Sequence, residues 1–263
     1  MFLKKTAENG VLYEYSDRFG AKHLFSTRIG GVSRAEYLAS MNLGENRGDS
    51  PENVKENFDR LLMPIGRAFP DCVRAGQVHS ANIRTVTEDD RGKFFPDTDG
   101  FATDRAGVVL IVKTADCLPI LLSDAENHVV AAVHAGWRGS AAKIAAAAVE
   151  KMCALGARPE NITAALGACI HSCCFEVKSD FVDTLTSMCG RELTEKTVTE
   201  RDGKMYADLV GLNLAVLSEC GVRAENIDVN PACTCCEPNL YFSHRYSGGK
   251  RGTMAAAVTM DWQ

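Results

Sequence analysis

The chain has 263 residues, 46% of them hydrophobic, with a formal net charge of −5 and a pI near 5.7. That length and apolar content suffice for one folded domain spanning 1–263, and the acidic balance gives no basic field to attract nucleic acid or anionic lipid. Neither the start, Met1-Phe2-Leu3-Lys4-Lys5, nor any later stretch reads as a targeting or membrane-spanning segment, so a cytoplasmic monomer acting on small molecules is expected.

Val11 to Tyr15 and His23 to Thr27 read as strands, and the Gly30-Gly31 pair marks a turn or a close backbone approach. Ser50-Pro51-Glu52-Asn53 is a helix start, with Ser50 as N-cap and Pro51 at the first helical position; the helix runs to about Leu62. Strand patterns dominate from Val73 to His134, among them Val108 to Lys113, Leu118 to Ser123 and Val129 to His134, with Asp124 to Asn127 as a hairpin turn. An alanine-rich helix is expected from about Ala141 to Ala154, closed by Gly156. A strand near Thr163 to Ala168 and helices near Glu176 to Met188 and Ala207 to Glu219 follow. Loosely alternating strands and helices with central hairpins predict an α/β (α+β) sandwich with a mixed sheet.

Three residues in this pattern carry chemistry. Cys117, in Thr114-Ala115-Asp116-Cys117-Leu118-Pro119, and His134, in Val133-His134-Ala135-Gly136-Trp137, each sit where a strand meets a loop. His79 in Gln77-Val78-His79-Ser80 is a second imidazole in a similar setting. Two histidines and a cysteine can hold a zinc ion and leave its fourth position open, as catalytic sites do. Their separations of 38 and 17 residues are too long for a local knuckle, so only a fold that joins strand ends could assemble them. A lone histidine or cysteine at a strand end is ordinarily structural, and His23, His128 and His171 read that way. The joint placement of His79, Cys117 and His134 favours ligation.

Eleven cysteines without a secretory segment are expected to be reduced. The clusters Cys169, Cys173, Cys174 and Cys233, Cys235, Cys236 lack the two Cys-x-x-Cys pairs of a zinc ribbon, and the expectation for them is small core hydrophobes. Arg28 before the Gly-Gly pair, Arg138 at a helix start beside His134, and Arg245 in a turn context suit bidentate phosphate binding.

With these motifs in hand, the chain resembles the YfiH/laccase-domain family, also called the polyphenol oxidase or purine nucleoside phosphorylase family. Thr27-Arg28-Ile29-Gly30-Gly31-Val32-Ser33, Asn42-Leu43-Gly44, Gln77-Val78-His79, Ala115-Asp116-Cys117-Leu118-Pro119, Val133-His134-Ala135-Gly136-Trp137-Arg138-Gly139 and Cys173-Cys174-Phe175-Glu176-Val177 stand in the family's order across nearly the whole sequence. The resemblance implies that His79, Cys117 and His134 are the zinc ligands, with copper as a possible substitute. It also implies a fold related to the necrotizing-factor deamidases, and it adds Asn42 to the substrate- or phosphate-binding set of Arg28, Arg138 and Arg245. Two places depart from the family pattern: Ser243-His244-Arg245-Tyr246 keeps one arginine where two adjacent ones are common, and His171-Ser172 replaces a Gly-Pro.

The implied activities are phosphorolysis of adenosine, inosine or methylthioadenosine to free base and sugar 1-phosphate, and adenosine deamination; Asp116 is a candidate proton donor. The alternative is a cysteine hydrolase with Cys117 as nucleophile and His134 as base, related to relatives proposed to edit peptidoglycan precursors. Six histidines with no His-x-His pair do not make a multicopper centre, which leaves phenol oxidation as a side activity of one substituted copper ion.

Overall fold

Alternate residues of the central strands are buried on opposite faces, and this period of two builds the layers. In the computed structural model, which describes residues 1–262, Val109 and Ile111 of the strand Val109–Thr114 pack with Val54, Phe58, Leu61 and Leu62 of the helix Pro51–Leu62. Leu110 and Val112 point the other way, into a core shared with Leu121, Val130 and Ala132 of a second sheet. In that second sheet Ile120, Leu122, Val129, Ala131 and Val133 turn outward again, onto Ile144, Ala148 and Met152 of one helix and Leu209 and Val216 of another. The stack is therefore helix, sheet, sheet, helix, a mixed α+β sandwich.

Among the described residues the first sheet has seven strands, in the order Phe2–Thr6, Leu12–Ser16, Ala21–Ser26, Met254–Trp262, Val109–Thr114, Cys72–Gly76, Phe94–Pro96. The second has six, in the order Ile227–Val229, Thr163–Leu166, Leu118–Asp124, Val129–Ala135, Gly100–Thr103, Ile83–Thr85. Both are mixed: Cys72–Gly76 runs parallel to its neighbours, and Ile83–Thr85 is parallel to Gly100–Thr103, while Leu118–Asp124 and Val129–Ala135 form an antiparallel hairpin. The chain crosses from one sheet to the other between Thr114 and Leu118.

The first helix begins as expected: the Ser50 hydroxyl accepts from the Asn53 N–H at 3.1 Å, with Pro51 opening the helix. The hairpin turn is held by Asp124, whose Oδ1 accepts from the N–H groups of Glu126 and Asn127. Other boundaries differ. The helix expected over 141–154 is two helices, Trp137–Ala141 and Ile144–Ala154, separated by Lys143 at φ +57°. The helix expected from Glu176 starts at Ser179, because Glu176–Val177 pairs as a short strand with Lys204–Ala207 of an unanticipated hairpin, Val198–Arg201 and Lys204–Ala207. Among the described residues no helix is long and apolar enough to cross a membrane.

Replacing Ser50 with Ala removes a cap from a helix whose inner face is core; the expected outcome is a loss of about 1 kcal/mol in denaturant unfolding, with the chemistry at the distant strand ends unchanged.

Candidate metal centre

Three strand ends open at one place. Cys72–Gly76 runs out into Gln77-Val78-His79, Val109–Thr114 into Ala115-Asp116-Cys117, and Val129–Ala135 carries His134 as its penultimate residue. Gln77 extends the first sheet past its last paired residue: its side-chain amide donates to Lys113 O at 2.7 Å and accepts from Lys113 N at 2.8 Å, as a strand backbone would. His79 (φ +63°) and Asp116 (φ +90°) both adopt left-handed backbone, which a side-chain-bearing residue holds only where its surroundings dictate it.

The metal-ligating atoms of His79, Cys117 and His134 all lie within 4.8 Å of one another. Cys117 Sγ is 3.8 Å from His79 Nε2, and the two imidazole rings meet edge to face with centroids 4.9 Å apart. Gly136 closes the back of this group. A Cβ there would stand 2.6 Å from His79 Cδ2, 3.3 Å from Cys117 Sγ and 3.5 Å from His134 Cε1, so any larger residue would push into the donors. Two nitrogens and a sulfur on three separate segments, with room kept open by a glycine, fit a zinc-type ion with one position free for substrate or water. Copper would suit the same donors.

The sequence reading missed Asp99. Its buried carboxylate accepts from His134 Nδ1 at 2.8 Å, from the N–H groups of Val78, His79 and Ser80 at 3.2, 2.9 and 2.8 Å, and from the Ser80 hydroxyl at 2.7 Å. Its carbonyl oxygen accepts from His134 N at 2.8 Å. Asp99 thus fixes the tautomer of His134, leaving Nε2 for a metal, and shapes the loop that carries His79. Burial raises the Asp99 pKa, but the bonds from His134 and Ser80 outweigh it and hold it down at about 2. The signal available in sequence was the Asp97-Thr98-Asp99-Gly100 run directly before an apolar strand.

Cys117 and His134 are electrostatically one unit. Burial pushes the thiol up, while the charge and hydrogen bond of His134, then those of His79, bring it down to about 6. Burial likewise lowers the His134 imidazole, and the Cys117 thiolate followed by the Asp99 bond raise it to about 9. Without metal, the thiolate–imidazolium pair therefore persists between those values and loses its negative member as the pH falls through the lower one.

The candidate phosphate and catalytic residues are placed differently from expectation. Asp116 is engaged at both oxygens, Oδ1 by the Thr234 hydroxyl at 2.7 Å and Oδ2 by the Arg245 N–H at 2.6 Å. Arg28 donates to the carbonyls of Ala39, Pro238 and Glu36 and stacks on Phe242. Arg245 donates to the carbonyls of Cys174 and Glu176. Asn42 is spent on Gly44, Asp49 and Thr253. Arg138 is exposed, with its guanidinium 4.3 Å over the Trp137 ring. The helix that was to offer its start after Gly139 begins at Trp137 and has only five residues. None of these five side chains lines the cavity over the candidate metal donors. That cavity, of about 530 Å³, is lined instead by Arg47, Lys113 and Arg251, with Val78 and Phe94 at its apolar side. Lys113 is paired with Glu45 at 2.8 Å. Arg47 and Arg251 have no carboxylate partner among the described residues. The Arg251 guanidinium is held down at about 10 by burial and then by Arg47, and its buried Nε lacks a hydrogen-bond partner.

Residues 22–261 match the family model described as multi-copper polyphenol oxidoreductase laccase. A purine nucleoside phosphorylase of Deinococcus radiodurans is 38% identical over 90% of this chain and 88% of its own length. Adenosine deaminase RL5, from an unknown prokaryotic organism, is 35% identical over 87% and 90%. Among solved structures, that of YlmD from Geobacillus stearothermophilus superposes with a TM-score of 0.90 at 33% identity, covering 99% of this chain and all of the other. The YfiH protein of Bacillus licheniformis gives 0.89 at 29% identity, covering 97% and 98%.

Two outcomes test this geometry. Asp99→Asn should weaken metal binding by about 10- to 100-fold in competition with a chromogenic chelator, as loss of a carboxylate behind a ligating histidine does; unchanged affinity would separate Asp99 from the metal donors. In chelator-treated protein, alkylation of Cys117 followed by peptide mass spectrometry should keep its rate down to about pH 6 and fall below it. A rate that already declines below pH ~8.5, the ordinary thiol range, would show that His134 does not hold the thiolate.

Proposed function

The chain belongs to the multi-copper polyphenol oxidoreductase laccase family, and on that footing we propose that it is a zinc-dependent purine nucleoside enzyme, carrying out phosphorolysis of adenosine, inosine or methylthioadenosine and deamination of adenosine. The observation that carries this reading is the juxtaposition, in one cavity, of the His79, Cys117 and His134 donors with the unpaired cations Arg47 and Arg251. The names of the relatives from Deinococcus radiodurans and of RL5 support the substrate class.

A zinc ion held by His79, Cys117 and His134 would supply Lewis acidity and a nucleophile at neutral pH. The remaining work falls to the chain. Arg47 and Arg251 raise each other's electrostatic cost, and a phosphate dianion between them relieves it. Phosphate held there attacks the anomeric carbon of the ribose as the bond to the purine nitrogen breaks, and the proton that the hydrogenphosphate gives up ends on that nitrogen. Val78 and Phe94, each about half exposed at 51% and 50%, give the base an apolar face. Asp116, tied to Thr234 and Arg245, acts by holding the backbone that presents Cys117.

A second reading has its own observation: the low thiol pKa of Cys117 beside His134 is that of an activated nucleophile, as in a cysteine hydrolase. Ligation to a metal would quench that thiolate, so the two readings oppose each other in the effect of metal. Copper in the same donors is the route left for phenol oxidation as a side activity.

The zinc-loaded protein given adenosine and phosphate should release adenine and ribose 1-phosphate, and without phosphate should form inosine. Arg251→Ala should raise the KM for phosphate at least tenfold, with much less effect on deamination, which uses water. Equal loss of both activities would remove the phosphate role of Arg251. Turnover that survives chelation and is lost on alkylation of Cys117 would replace the metalloenzyme with the hydrolase.

A further inference from the structure

The cysteines outside the candidate metal centre include two contrasting kinds. Cys72 and Cys169 are fully buried in hydrophobic clusters. Cys173, Cys174, Cys233 and Cys236 belong to none of these clusters, and two of them, Cys173 and Cys236, are exposed. Their sulfurs face one another. Cys236 Sγ lies 3.5 Å from Cys173 Sγ and 3.4 Å from Cys174 Sγ, and all four sulfurs are within 4.8 Å of one another.

Two single-turn loops, far apart in sequence, produce this meeting. In one, the N–H groups of Cys174 and Phe175 return to His171 O; in the other, those of Cys236 and Glu237 return to Cys233 O. A parallel bridge between Cys169 and Cys233 and the bond from Thr234 N to Cys169 O at 2.9 Å hold the loops side by side. Cys233-Thr234-Cys235-Cys236 is itself a Cys-x-x-Cys knuckle, whose partner cysteines, Cys173 and Cys174, are adjacent instead of forming a second such pair.

We propose that Cys173, Cys174, Cys233 and Cys236 form a second, structural zinc site of four thiolates. Zinc–sulfur bonds of about 2.3 Å in a tetrahedron put sulfurs about 3.8 Å apart, inside the range these atoms span, whereas a disulfide needs about 2.0 Å. A closed set of four thiolates is a structural arrangement, in contrast to the open three-donor set beneath the cavity. Zinc with four thiolates carries two negative charges, and the loop is supplied with cations to match. Arg201 donates to Ser172 O, and Arg245 donates to the carbonyls of Cys174 and Glu176. The N–H of His171 points at Cys233 Sγ from 3.4 Å, an amide-to-sulfur bond that favours thiolate.

This ion would brace the catalytic loop from behind. The 233–236 knuckle carries Thr234 and the 171–176 loop receives Arg245, and these two residues together hold both oxygens of Asp116, next to Cys117.

The test is metal stoichiometry on the full chain, purified under reductant without chelator and equilibrated with zinc. Two ions per chain are expected in the native protein and one in the His79→Ala/Cys117→Ser variant. None should remain when Cys236→Ser is added to that variant. Cobalt substituted into His79→Ala/Cys117→Ser should show strong thiolate-to-cobalt charge transfer and tetrahedral d–d bands, a readout that keeps Cys236 in place should its replacement unfold the chain. A natively folded His79→Ala/Cys117→Ser variant, by circular dichroism, that binds no metal would overturn the site. So would a disulfide between Cys236 and Cys174 or Cys233 in mass spectra of the non-reduced protein. Loss of nucleoside turnover with the second ion still bound would count against the proposed activity and leave this site standing.

Discussion

The Asp99 carboxylate is the constraint on which the rest of the site depends. A buried negative charge is costly unless its lone pairs are filled, and here His134, Ser80 and three consecutive backbone N–H groups fill them. The carboxylate therefore selects the conformation of the 78–80 loop and the orientation of His134 at the same time. His79 and His134, whose rings already meet edge to face, are coupled a second time through one anion. The low thiol pKa of Cys117 is a further step in the same chain: Asp99 favours imidazolium, and imidazolium favours thiolate.

The two sheets supply the frame. Each central strand is committed on both faces, so their ends cannot slide by one residue without turning an apolar row toward the wrong layer. This rigidity converts sequence separations of 38 and 17 residues into a cluster a few ångströms wide. The crossing between Thr114 and Leu118 matters most, since the segment that changes sheets is also the segment that carries the thiol.

What the sequence made legible follows the reach of local rules. The capped helix at Ser50, the strands flanking Cys117 and the hairpin at Asp124 are local patterns, and the three candidate metal donors were visible because each interrupts or ends an apolar run. The missed strand Met254–Trp262 lies in the middle of the first sheet, yet Met254-Ala255-Ala256-Ala257 has little strand propensity; only its neighbours on both sides make it one. Lys143 broke an alanine-rich helix by a left-handed turn that propensity does not foresee. The arginines erred for a different reason. A guanidinium looks the same in sequence whether it serves a ligand or backbone carbonyls, and Arg28 and Arg245 have their donors occupied while Arg251 keeps one without a partner. Asp99 and the meeting of the two cysteine loops are tertiary facts with only faint local traces.

The central place of Met254–Trp262 has a consequence for the order of assembly. Its two partners, Ala21–Ser26 and Val109–Thr114, are synthesised long before it, so during translation the first sheet remains in two halves with unpaired edges facing one another. Arg251 and Thr253, which line the cavity, immediately precede this strand and are positioned only when it inserts. A nascent chain can thus complete its second sheet and still lack a finished pocket. Closure of the first sheet and completion of the cavity therefore depend on the same late segment of chain.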